Sequence, residues 1–145
     1  MDFDQDAFAH GPIESKIWLC RTLDSLNSLY FDNVFVLGSW SGTMPFILYT
    51  TGAINFNRIH LVDTNTDYQQ QARVICNALD CEGLLDIVEQ DANTVDYPEG
   101  ELLVINTSTD NIQGRAWYDR IPVGAWVALQ GRTGGHRDCV QPYYS

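Results

Sequence analysis

Val34-Phe-Val-Leu-Gly-Ser-Trp-Ser-Gly42 and, a short distance on, Ile59-His-Leu-Val-Asp63 read as two buried parallel strands that each end in a loop. Val34 to Leu37 is an unbroken apolar run, the pattern of a strand covered on both faces. Gly38 then permits a sharp turn and a close approach to a ligand, because it carries no Cβ. The second strand, predicted for Arg58 to Val62, ends at Asp63. That carboxylate stands 21 residues past Gly42, close to the spacing of roughly 20 residues at which an acid reaches ribose hydroxyls in nucleotide-binding βαβ units. A nucleoside-type ligand is implied.

The glycines narrow the ligand further. A dinucleotide fingerprint needs G-x-G-x-x-G so that a helix N-terminus can cradle pyrophosphate, whereas here Trp40 occupies the place of the middle glycine. NAD and FAD are disfavoured. Outward from these strands the chain alternates helix and strand. Ile13 to Tyr30 carries Ile13, Ile17, Cys20, Leu23 and Leu26 at helical spacing, and predicts a helix covering the sheet. Thr43 to Thr50 predicts a short helix with Pro45 in its first turn. Thr66 with Gln69 forms a capping-box pattern, followed by Tyr68, Ala72, Ile75 and Leu79 on one helical face. Strands are expected at about Leu84 to Gln90, Leu102 to Asn106 and Ala125 to Gln130, with a short helix over Asp110 to Asp119. Such alternation predicts an α/β fold, a Rossmann-like three-layer sandwich with a mostly parallel sheet of order 3-2-1-4-5. Ser39, Asp63, Asp91 and Asn106 all fall at the carboxyl ends of strands, where open α/β sheets bind ligands.

The G-x-x-x-G loop followed by an acid at the next strand end resembles the first motifs of class I S-adenosylmethionine (SAM)-dependent methyltransferases. Asp86-Ile-Val-Glu-Gln-Asp91-Ala resembles that family's third strand and Glu101-Leu-Leu-Val-Ile-Asn106-Thr-Ser108 its fourth. More narrowly, Gly11-Pro-Ile-Glu-Ser15-Lys16-Ile-Trp18-Leu-Cys20, Leu37-Gly-Ser-Trp-Ser-Gly42, Ile105-Asn-Thr-Ser108 and Asp119-Arg-Ile-Pro-Val-Gly124 together resemble short methyltransferase-like proteins of bacteriophages. The resemblance implies SAM as cofactor and methyl transfer to an acceptor it does not identify: a small molecule, a protein or RNA. It places Gly38, Ser39 and Gly42 against the methionine moiety, Asp63 on the ribose, Asp91 with Ala92 beside the adenine, and Asn106 toward the acceptor. Lys16 and Trp18 would approach the site from the first helix. His136, in a Gly-rich loop at the same edge, is the histidine best placed to take a proton from an acceptor, while His60 is expected to face out of a strand.

Each residue also fits a plainer role. Gly38 serves a bare strand end, Asp63 a turn over Thr64 to Thr66, Asp91 an Asp-Ala-Asn turn, Asn106 the loop backbone after its strand, Lys16 and His136 a solvated surface, and Trp18 the core. The family usually adds two further strands after the fifth. Here only His136 to Ser145 remain, so the sheet is expected to lack them, with its edge covered by the tail or by another copy. A homo-oligomer is favoured on that ground. The alternative to an enzyme is a binding or assembly protein of phage origin that retains the nucleoside pocket without turnover.

Composition sets the frame. The 145 residues, 45% hydrophobic, suit one domain: an N-terminal loop to residue 12, the covering helix at 13–30, a βαβ core at 34–132 and a tail at 133–145. Net charge −11 repels phosphates, so tight DNA binding is disfavoured. The acidic start Met1-Asp-Phe-Asp-Gln-Asp6 has no apolar core of a signal peptide, and no apolar run is long enough to span a bilayer. A cytoplasmic protein is expected, in the host cytoplasm if the chain is phage-encoded. Cys20, Cys76, Cys81 and Cys139 lack any C-x-x-C spacing and are expected to be reduced thiols. Hydrolase elbows, phosphate-binding P-loops and zinc-protease motifs are absent from the sequence.

Overall fold

A computed structural model of the chain describes residues 10–24, 29–38, 52, 54–79, 85–107, 112–130 and 139–142, with residues 10–16, 79 and 139–142 described by backbone alone. In chain order these form α1 (His10–Asp24), β1 (Tyr30–Leu37), β2 (Asn55–Asp63), α2 (Thr66–Leu79), β3 (Leu85–Glu89), a 3-10 turn (Ala92–Thr94), β4 (Leu102–Asn106), α3 (Ala116–Asp119), β5 (Trp126–Leu129) and β6 (Cys139–Pro142).

The strands make a single sheet of order β3-β2-β1-β4-β5-β6. The first five are parallel, as the alternating pattern predicts, and β6 runs antiparallel to β5. The crossovers run outward from β1 to β2 and β3, and then from the other side of β1 through β4 to β5. The switch point therefore lies between β1 and β4, where Leu37 stands opposite Asn106.

Period-two alternation divides the apolar residues between the two faces. Val34 and Val36 join Ile59, Leu61, Leu103 and Ile105 beneath Leu19, Cys20 and Leu23 of α1 and Ala72 of α2. Phe35 and Leu37 join Val62, Val104 and Val127 on the opposite face, beneath Ala92, Val95, Trp117 and Ile121. Leu19, Leu23, Leu37, Ile59, Leu61, Leu103 and Ile105 are wholly buried, and each such side chain contributes about 1.5–3 kcal/mol. The exposed Arg115–Asp119 pair at 3.0 Å is worth about 0.3–0.5 kcal/mol. Apolar burial therefore positions the strands, and the surface charges adjust to it.

Several sequence boundaries shift. The first helix starts at His10 and ends at Asp24, so Pro12 sits inside its first turn, where amides lack intrahelical partners anyway. The predicted end at Tyr30 is wrong because Tyr30 opens β1, paired with Asn55. The capping box is also replaced. Asn65 is the cap, its Oδ1 accepting the Tyr68 N–H at 3.0 Å. Thr66 donates its hydroxyl to Glu89 Oε1 at 2.9 Å instead. Of the helix expected over Asp110 to Asp119, the described residues 112–119 are helical only at Ala116–Asp119, with Gly114 at φ 87° before it. The sheet, expected to stop at five strands with its edge covered by the tail or by another copy, has that edge covered by the tail, as a sixth strand, β6. Pro142 is tolerated there because an outer strand need not donate every amide. The helix predicted for Thr43 to Thr50 lies outside the described residues. Cys20 and Cys76 are buried. No helix among the described residues is long and apolar enough to cross a membrane.

Candidate functional site

Of the predicted site residues, Gly38, Asp63, Asp91, Ala92 and Asn106 stand at or just past the carboxyl ends of β1 to β4. Gly38 follows the last residue of β1 with φ 64°, in the left-handed region that a residue with a Cβ enters only with strain. Its N–H donates to the carbonyl of Val62 at 2.8 Å. Because Asp63 is the next residue of β2, that one bond sets the bend beside the strand end that carries Asp63.

Asp63 is half-buried, and its Oδ1 accepts the N–H of Asn65 at 2.8 Å. Its carbonyl accepts the N–H of Gln90 at 3.1 Å, which joins the loops after β2 and β3. The local turn role expected as the rival for Asp63 is thus present, alongside its placement at the bend. Asp91 likewise makes a local turn. Its Oδ1 accepts from the Asn93 N–H at 2.9 Å and from Asn93 Nδ2 at 3.2 Å, while the residue itself is exposed. Ala92 beside it is buried in the second apolar cluster.

Asn106 is wholly buried at the end of β4, and its carbonyl accepts the N–H of Gln130 at 2.9 Å. Buried Gln130 therefore lies next to Asn106 past the end of β5. Trp18 is 44% exposed on α1, which corrects its reading as a core residue: Leu19, Cys20 and Leu23 take the buried side of that helix. Lys16 belongs to α1 with its side chain outside the described residues, and Ser39, Gly42 and His136 lie outside them as well.

Sequence reasoning missed the bonds made by three amides, Gln69 among them, which was expected in a capping box. Gln69 is 4% exposed, and its Nε2 donates to the carbonyls of Leu61 at 3.1 Å and Val88 at 2.7 Å. It thereby pins the start of α2 across β2 and β3. Gln90 reaches over the 3-10 turn to the carbonyl and hydroxyl of Thr94 at 3.1 and 2.9 Å. Asn93 bonds Gln113 and Trp117 on the far side of β4. A polar residue in an otherwise apolar helical stripe was the one available signal for Gln69. The partners of the others are distant in sequence and left none.

His60 does not simply face out. Its ring stacks on Phe35 with centroids 4.4 Å apart, Nδ1 lies 3.1 Å from Asp86 Oδ2, and Nε2 lies 2.7 Å from Asn33 Oδ1. The contact links β1, β2 and β3 three residues before Asp63. Nearby, burial raises the Tyr97 phenol well above its ordinary pKa, against a smaller lowering by Arg120, and its hydroxyl donates to the Trp117 carbonyl at 3.2 Å. Among the described residues no group of three or more His, Cys, Asp and Glu is arranged to hold a metal ion.

Solved structures of similar architecture include methyltransferases. One, assigned as an S-adenosyl-L-methionine-dependent methyltransferase of Methanococcus maripaludis, superposes with a TM-score of 0.66 at 15% identity, over 86% of this chain and 57% of its own. The fold is that of the SAM-dependent methyltransferases. A methyltransferase of Thiobacillus denitrificans solved with S-adenosyl-L-homocysteine matches at TM-score 0.58 and 19% identity, over 79% of this chain and 48% of its own. A third, from Clostridium acetobutylicum, matches at TM-score 0.60 and 14% identity, over 81% of this chain and 50% of its own. The chain spans about half the length of these methyltransferase structures. No family model and no curated protein matches the sequence.

Proposed function

We propose that the chain binds SAM at the Gly38–Asp63 edge and transfers its methyl group to an acceptor held beyond Asn106, in the manner of the short phage proteins its sequence resembles. The observation that carries this reading is the 2.8 Å bond from the Gly38 N–H to the Val62 carbonyl, which joins a Cβ-free bend to the strand ending in Asp63.

The donor set suits the cofactor. A carboxylate accepts from two neighbouring hydroxyls, an exposed Asp91 accepts from an exocyclic amine, and buried Ala92 offers an apolar surface to a base. When bound, SAM supplies a methyl group activated by the sulfonium charge. The protein's own task is then to align the acceptor and exclude water, so few catalytic groups are needed. Gly38, with Ser39 and Gly42 beyond it, brings the backbone close to the methionine part. Asn106 orients the acceptor, His136 takes its proton where one must leave, and Lys16 and Trp18 close over the site from α1.

Calorimetry with SAM and S-adenosylhomocysteine, with NADH as control, tests the reading, followed by labelled methyl transfer into a lysate. Binding of both SAM compounds and a labelled product are expected. Binding without product in any fraction supports a binding protein instead, and NADH binding with no response to either SAM compound overturns the proposal.

A further inference from the structure

We propose that Asn93 is a positioning residue that locks the loop after β3 to the β4–β5 connection, so that a ligand held at Asp91 orders residues 113–117. The inference rests on the reading of Asp91 and Ala92 as the adenine side of the site.

One side chain makes the junction. The Asn93 backbone N–H and Nδ2 both reach Asp91 Oδ1, at 2.9 and 3.2 Å. The same Nδ2 donates to the Gln113 carbonyl at 2.6 Å, and Oδ1 accepts the Trp117 N–H at 3.1 Å. Two donated bonds and one accepted bond from a single compact group require a primary amide; a carboxylate donates none, and a hydroxyl has one hydrogen. The connection also runs alongside this amide. Gly114 holds φ +87°, and a Cβ there would stand 3.4 Å from both polar atoms of the Asn93 amide.

The consequence depends on which atoms are engaged. Both bonds to the Asp91 carboxylate fall on Oδ1 and come from Asn93, so the rotation of the carboxylate depends on the residue that also fixes Gln113 and Trp117. A ligand amine drawn to Asp91 must therefore favour the arrangement in which Asn93 is fully bonded. Trp117 lies in the same apolar cluster as Ala92, so the ordering reaches a buried side chain. Residues 113–117 come after β4 and Asn106, on the acceptor side. Occupancy of the adenine side and order on the acceptor side then share one free energy, and by reciprocity an acceptor seated there tightens the cofactor. A second brace serves as a control. Arg120 Nε donates to the Val95 carbonyl at 3.0 Å and its guanidinium pairs with Asp96, joining the same two segments without touching Asp91.

Hydrogen exchange of the full chain with and without S-adenosylhomocysteine tests this, alongside calorimetry. In the unaltered chain the ligand should slow exchange at 113–119 as well as at 91–95. Asn93→Ala and Asn93→Asp should weaken the ligand at least about fivefold, the low end of coupling between sites, and abolish the slowing at 113–119 while keeping it at 91–95. Gly114→Ala, which strains the backbone beside Gln113 because φ there is +87°, should do likewise, and it stands in if Asn93→Ala fails to fold. Arg120→Ala should lower stability yet keep the transmission. Unchanged affinity and transmission in the Asn93 and Gly114 variants overturns the proposal alone; absence of any binding by the unaltered chain overturns it together with the function it rests on.

Discussion

The same four-residue pattern, Asp-x-Asn-Thr, comes after two neighbouring strands and leads to two different structures. Asp63-Thr-Asn65-Thr66 closes β2, and Asp91-Ala-Asn93-Thr94 lies just past β3. In each, the Asp Oδ1 accepts the N–H two residues on, at 2.8 and 2.9 Å, a turn that short polar side chains form locally. The outcomes diverge at the Asn. Asn65 caps the 14-residue α2 through the Tyr68 N–H. Asn93 lies within a three-residue 3-10 turn and spends its side chain on Gln113 and Trp117. The downstream segment decides between them. The first copy runs into Asp67-Tyr-Gln-Gln-Gln-Ala-Arg73, rich in Gln, Ala and Arg that favour helix, whereas the second meets Val-Asp-Tyr-Pro98-Glu-Gly100, where proline disfavours helix at the residue before it and glycine weakens it further. A turn device is thus local, while its use is set by the next segment.

The largest expected effect separates the two copies by ligand. Asp63→Ala should weaken S-adenosylhomocysteine by about 1.5–3 kcal/mol, the range for hydrogen bonds to a charged group, and Asp91→Ala by about 1 kcal/mol, because Asp63 is half-buried and Asp91 exposed. Equal losses in calorimetry would erase the distinction. Next, Gln69→Ala should cost about 2 kcal/mol in urea unfolding, since two bonds to strand carbonyls disappear from a buried place. The second copy opens no long helix that such a brace could hold. Asn65→Ala should cost about 1 kcal/mol as a lost helix cap, read from the urea midpoint at constant slope. A larger loss there than for Gln69→Ala would make the cap, not the brace, the holder of α2.

The smallest effect is alkaline. Burial raises the folded pKa of Tyr97 above that of the unfolded chain, so its contribution is complete below about pH 10, the ordinary phenol value, and declines as pH rises beyond it. Tyr97→Phe should flatten that limb of the stability curve, and an unchanged limb would assign it to other groups.

The candidate site was legible where burial or backbone conformation writes itself into composition. The apolar run Val34 to Leu37 and the glycine after it could hardly be anything other than a covered strand and its bend, and Asp63 is found by spacing. Asn106 was found as the polar residue ending an apolar run, although its complete burial was not foreseen. Thr66 was misread as a cap because Asn65 offers the same chemistry one residue earlier, and only the strand end at Asp63 settles which of them flanks the helix. The exposure of Trp18 agrees with its absence from the apolar stripe of the first helix and argues against the plainer core role.

By itself the sequence determined the alternation of strands and helices, the order in which parallel strands assemble, and the two turns, since these arise from side-chain period, glycine freedom and bonds within two residues. The tertiary structure alone decided that the tail returns as an antiparallel outer strand, that Gln69 spans β2 and β3, and that Asn93 ties the loop after β3 to residues 113–117. Each of those contacts joins groups far apart in the chain, and their geometry exists only once the apolar faces have brought the strands into register.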